Sequence, residues 1–120
     1  MIESVFMYGT LKPGQSRWPA LAYYVDSTKP VLSAEIEGQM WATPWGWPAV
    51  TAGMNIVRGV LVTLRPDRVT EALTRLDEIE GTSSGLFERV AVTTRSGTPC
   101  WTYLWPGSTA GFTSLASGEW

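Results

Sequence analysis

The stretch VRGVLVTLRPDRVTEALTRLDEIEG, residues 57–81, sets a strand directly against a helix. Residues 57–64 are apolar on nearly both faces and too short for a helix, which predicts a buried strand. Pro66 suits a first helical turn. From there Val69, Ala72, Leu73, Leu76 and Ile79 fall on one side at helical spacing, and Gly81 supplies a stop. Upstream, residues 31–41 alternate, with Ile36, Gly38 and Met40 on one face and Glu35, Glu37 and Gln39 on the other, as in a half-exposed strand. Residues 5–8 form a short apolar run that stops at Gly9, predicting a central strand that ends in a tight loop over residues 9–14. Trp18, Leu21, Ala22 and Val25 predict a short helix with Ser16 as its N-cap.

The segment 42–49, dense in Pro, Gly and Trp, predicts an ordered loop. Downstream, residues 88–95 and 99–105 read as a hairpin turning at Ser96, Gly97 and Thr98. Beyond Pro106 the chain is rich in Gly, Ser and Thr, so residues 106–120 are expected to be poorly ordered, with Phe112, Leu115 and Trp120 as the residues able to dock. The order β-α-β-β-α-β-β lacks regular βαβ alternation. It predicts an α+β fold: one compact domain over residues 1–120, with two or more helices on a strongly curved, mostly antiparallel, β-barrel-like sheet.

Composition narrows the chemistry. The chain has 120 residues, 44% of them hydrophobic, and a formal charge of −2. That is ample for one core, and it provides no basic footprint for nucleic acid or an anionic membrane. No histidine is present, which removes Ser-His-Asp and Cys-His catalysis and imidazole metal sites. The one cysteine, Cys100, permits neither an internal disulfide nor a cysteine zinc cluster. The N-terminus MIESVFMYGT lacks a basic segment followed by a long apolar run, so a cytoplasmic location is expected. Chemistry is left to carboxylates, hydroxyls, tyrosine, lysine and backbone amides.

Among the carboxylates, Glu80 continues the apolar stripe of the 66–80 helix, four residues past Leu76 and seven past Leu73, whereas Asp77 flanks it and Glu78 points away. A carboxylate aimed at the core side is desolvated, which raises its pKa toward the range of a general base near neutrality. The competing reading swings Glu80 outward or pairs it with Arg89. The loop at Tyr8, Gly9, Thr10 and Leu11 has the glycine that lets backbone N–H groups turn toward an anion, although such turns also occur as plain structure. Seven tryptophans, with Trp41, Trp45 and Trp47 clustered and Trp101 and Trp105 alternating, serve either as core or as a stacking platform. Glu35 and Glu37 share a solvent face, and Cys100, without a basic neighbour, reads as an inert core thiol.

The run Tyr8-Gly9-Thr10-Leu11-Lys12-Pro13-Gly14-Gln15 resembles the opening motif of the gamma-glutamylcyclotransferase-like proteins, including their AIG2-like and gamma-glutamylamine cyclotransferase branches. Leu76-Asp77-Glu78-Ile79-Glu80-Gly81 is similar to their second motif, in which the catalytic glutamate follows the aspartate by three residues. Trp47-Pro48-Ala49, Gly59-Val60-Leu61, Phe87-Glu88-Arg89 and Trp101-Thr102-Tyr103 resemble the remaining elements, so the likeness spans residues 5–105.

The resemblance implies a small-molecule γ-glutamyl substrate, with no cofactor and no metal. It makes Glu80 the acid/base and the 8–11 loop the holder of the glutamyl end. The implied reaction is attack of the substrate's α-amine on its own γ-carbonyl, which forms 5-oxoproline and frees an amine. Phe87 stands where many relatives carry a tyrosine and removes a hydroxyl from the substrate-binding set, for which Tyr103 is the candidate substitute. A different class of function, a non-catalytic small-molecule or carbohydrate-binding module on the same fold, would use the tryptophans instead. The two part on whether Glu80 faces the 8–11 backbone across a cavity.

Overall fold

The computed structural model describes residues 1–120. Its elements run β1 (Ser4–Met7), α1 (Trp18–Ala22), β2 (Leu32–Ala42), β3 (Pro48–Thr63), a 3-10 turn (Pro66–Arg68), α2 (Val69–Glu80), a second 3-10 turn (Thr82–Ser84), β4 (Glu88–Thr93), β5 (Pro99–Leu104) and β6 (Thr113–Ser114). The strands form one mixed sheet in the order β4-β5-β1-β3-β2-β6. All pairs are antiparallel except β1 with β5. The sheet curls into a half-barrel, and the α+β class read from the sequence holds.

β1 is the pivot because it is buried on both faces. Val5 and Met7 point to a core shared with Leu21, Leu64, Val69, Leu73 and Leu76, on the side that the helices cover. Phe6 and Tyr8, at alternate positions, point to a second core with Ile36, Met40, Val50, Val57 and Cys100. A continuous apolar run is what a strand covered on both sides requires. The β2–β3 ladder carries the curl. Gly38 pairs with Asn55 but the next residue, Gln39, pairs with Thr51, so Ala52, Gly53 and Met54 bulge out and bend the strand.

Three expectations need correction. Ser16 is not the cap of α1: Arg17 holds that position, no side chain caps the helix, and Pro19 is the second residue of its first turn. Residues 48 and 49 belong to a strand, because β3 begins at Pro48 and runs without a break through the bulge. The segment past Pro106 is docked. Thr113 and Ser114 pair with β2, the Gly118 carbonyl accepts from the Arg58 N–H at 2.7 Å, and the Lys12 ammonium reaches the Trp120 carbonyl at 2.6 Å. No helix is long and apolar enough to cross a membrane.

Candidate active site

α2 ends where the sequence supplies glycine. Gly81 adopts φ 68°, a left-handed conformation that costs other residues energy, and its N–H closes on the carbonyls of Asp77 and Glu78. The following 3-10 turn brings Leu86 and Phe87 back beside the helix end. A cavity of about 110 Å³ opens there, lined by Tyr8, Gly9, Thr10 and Leu11 from the loop after β1, by Ile79 and Glu80 from α2, and by Leu86, Phe87 and Tyr103. Phe6, Met7, Arg17, Trp47 and Pro48 complete the wall. Glu80, Tyr8, Gly9, Thr10, Leu11, Phe87 and Tyr103 thus line one cavity.

Glu80 has neither a hydrogen bond nor an ion pair within the chain. Desolvation pushes its carboxyl up to about 7, and the positive charge of Arg17 pulls the other way. Arg17 stays beyond ion-pair distance of Glu80, and its guanidinium donates instead to the Ile79 carbonyl at 3.4 Å, at the negative end of α2. Arg89 does not pair with Glu80. Its Nε donates to Asp77 Oδ1 at 3.0 Å, and the Tyr103 hydroxyl donates to the same oxygen at 2.6 Å. Tyr103 is therefore already committed as a donor, and burial followed by this hydrogen bond raises its pKa strongly. Its carbonyl accepts the Tyr8 hydroxyl at 2.6 Å, and burial, followed by the negative charge of Glu80, raises the Tyr8 pKa well above its ordinary value.

On the loop, none of the backbone N–H groups of Tyr8, Gly9, Thr10 and Leu11 donates to an acceptor of the chain. The loop is braced from within by the Lys12 N–H on the Gly9 carbonyl (3.0 Å) and the Arg17 N–H on the Thr10 carbonyl (2.8 Å). Gly9 packs against Pro48 so closely that a Cβ would lie 2.9 Å from the Pro48 Cγ. Phe87, almost fully buried, lies 5.6 Å from both Trp47 and Trp105, ring centre to ring centre.

Other candidates go elsewhere. Glu35 binds Arg58 and Arg95 on the surface. Burial pushes the Cys100 thiol up to about 11, as for an inert core group. Trp41 bonds Thr51, and Trp101 lies under the Arg89 guanidinium at 4.4 Å, so neither joins the cavity. No group of three His, Cys, Asp or Glu side chains converges on a possible metal position. Arg17 is the residue that sequence reasoning missed. Its one signal was a lone cation just past the Gly9 loop.

The model of the gamma-glutamyl cyclotransferase, AIG2-like family matches residues 5–120. The chain belongs to that family. No curated protein matches it in sequence. Its fold is similar to that of PH0828 from Pyrococcus horikoshii, at 21% identity and a TM-score of 0.74, over 99% of this chain and 89% of the other. It is also similar to ytfP from Escherichia coli, at 23% identity and a TM-score of 0.65, over 98% and 95%. A gamma-glutamyl cyclotransferase structure matches at 19% identity and a TM-score of 0.54, over 93% and 69%. At these identities the likeness is one of fold, and membership in the family rests on the family model.

Proposed function

We propose that the protein is a gamma-glutamyl cyclotransferase, converting a γ-glutamyl amine to 5-oxoproline and the free amine, with Glu80 as acid/base. One observation carries this reading: the unpaired, desolvated Glu80 shares a small cavity with a loop whose successive N–H groups have no acceptor. In the reaction the α-nitrogen bonds to the γ-carbon and the amide C–N bond breaks. The α-ammonium gives up two protons. Glu80 takes the first and passes it to the departing nitrogen, then relays the second as the ring nitrogen becomes an amide. The amine leaves as an ammonium and the carboxylate is restored.

The N–H groups of residues 8–11 hold the α-carboxylate or the developing oxyanion. Both reacting ends belong to one bound molecule, so confinement supplies much of the rate. Phe87 donates nothing to this chemistry, and Tyr103, bonded to Asp77, acts by positioning. The lone buried thiol of Cys100 suits a reducing compartment such as the cytoplasm.

The exposed Trp45 favours a second reading, a non-catalytic binding module that stacks ligands on its tryptophans. A panel of γ-glutamyl amino acids, peptides and amides assayed for 5-oxoproline separates the two. Release from at least one compound, abolished in Glu80→Gln, is expected. Tight binding with no release from any compound would overturn the enzymatic reading.

A further inference from the structure

The aromatic residues at the cavity are not only packing. Phe87 and Trp47 line it with ring centres 5.6 Å apart, and Trp47 stacks on Trp45 at 5.2 Å with the planes 27° apart. Trp45 remains 58% exposed. Trp105 backs all three rings at 5.6 to 6.0 Å, its indole N–H held by the Ser108 carbonyl, and Phe112 packs on Trp45 and Trp105. A continuous series of rings thus runs from the cavity wall to the surface and is fixed from behind.

Charge around the cavity points the same way. Glu80 is the only acid lining it and Arg17 the only base. Asp77, outside this lining, is bonded to Arg89 and Tyr103. Glu88 follows Phe87 but lies outside the lining as well, so within the cavity a second ammonium on the leaving amine would meet only Glu80, which the reaction uses. The cavity, about 110 Å³, is well below the roughly 300–1,000 Å³ that encloses a drug-sized ligand, so anything larger than the glutamyl group extends past the mouth.

We infer that the amine carried on the γ-glutamyl group is uncharged in its substituent and aromatic, and that it lies along the rings of Phe87, Trp47 and Trp45. The inference rests on the cyclotransferase reading for its site and adds the class of leaving group.

The test compares γ-glutamylbenzylamide, γ-glutamylmethylamide and ε-(γ-glutamyl)lysine. Turnover is followed by 5-oxoproline release, and affinity is measured by calorimetry on Glu80→Gln. The benzylamide should exceed the other two by roughly 10-fold or more in kcat/KM and bind with a Kd lower by a similar factor. Trp45→Ala should narrow the benzyl-to-methyl ratio by roughly 3–10-fold, the scale of one aromatic contact, and Trp45→Phe should restore much of it. Equal ratios, an unaltered ratio in Trp45→Ala, or preference for the lysine compound would overturn the inference while leaving the cyclotransferase reading intact. Absence of 5-oxoproline from every compound would instead sink the cyclotransferase reading, and the Kd ratio would still decide for or against the aromatic class.

Discussion

The last turn of α2 presents a carboxylate to each of two regions with opposite character. On one side Asp77 is knotted into structure: a single oxygen accepts both the Arg89 guanidinium and the Tyr103 hydroxyl, tying the helix end to β4 and β5. On the other, three residues later, Glu80 lines a mostly apolar cavity together with the 8–11 loop, and its carboxyl is pushed up to about 7. A saturated carboxylate holds geometry, and a starved one can exchange a proton. The helix supplies both because positions three apart lie close on its surface yet diverge enough to face different neighbours.

The sharpest way to break this contrast is to neutralise the starved group. Glu80→Gln keeps size and polarity but cannot accept a proton, so 5-oxoproline release should fall on the order of 10²–10⁴-fold, the range for a lost general acid/base. The fold should persist. The same variant should be more stable than the parent at pH 8, by about 1–3 kcal/mol, because burial of the charged form is no longer required. The sign follows from a folded-state pKa raised from 4.5 to about 7: the parent's stability is intact below 4.5 and declines as pH rises through 7. A parent and variant that lose stability in parallel between those values would place Glu80 in solvent.

Next in size comes the loop that shares the cavity with Glu80. Gly9→Val forces side-chain carbons against Pro48, where even a Cβ would be 2.9 Å from its Cγ. The loop must shift, and affinity for a γ-glutamyl ligand should drop roughly 10–100-fold, as expected when an anion site of converging N–H groups is displaced. Circular dichroism should be little changed. Unaltered affinity would reduce the loop to a turn.

The saturated side should respond oppositely. Asp77→Ala strands the nearly buried Tyr103 hydroxyl and the Arg89 guanidinium. It should cost about 1–3 kcal/mol in chemical denaturation, with any loss of kcat/KM tracking loss of folded protein. Loss of turnover in fully folded variant would move Asp77 into the chemistry.

Much of this contrast was legible in the residues. The phase of Val69, Leu73 and Leu76 placed Glu80 toward the core, and Gly81 marked where the helix must stop. What lay beyond sequence was partner choice: Arg89 suited either acid, and only the approach of β4 and β5 gives it to Asp77. The first half of β3 was illegible because the bulge at 52–54 breaks the alternation that identifies a strand. The docked tail was obscured by its Gly, Ser and Thr content, since a few large residues, Phe112 and Trp120 among them, do the anchoring. Arg17 went unnoticed because an exposed cation beside a short helix carries no periodic signal.

The smallest effect comes from Phe87→Tyr. The ring is almost fully buried yet lines the cavity, so an added hydroxyl can be satisfied by water or substrate. Stability should change by less than ~1 kcal/mol, below the cost of an unsatisfied buried hydroxyl, while kcat/KM shifts a few-fold between γ-glutamyl substrates. A destabilised protein with the parent's substrate profile would put Phe87 in sealed core.

The most direct measurement is the titration of Glu80 itself, followed by the ¹³C shift of its side-chain carboxyl and assigned by its disappearance in Glu80→Gln. A midpoint close to 7 is expected, on the same limb over which 5-oxoproline release rises with pH, because the ionised form accepts the proton. A midpoint near the ordinary 4.5 would mean that the carboxylate is solvated or paired, and it would contradict the assignment of Glu80 as the acid/base.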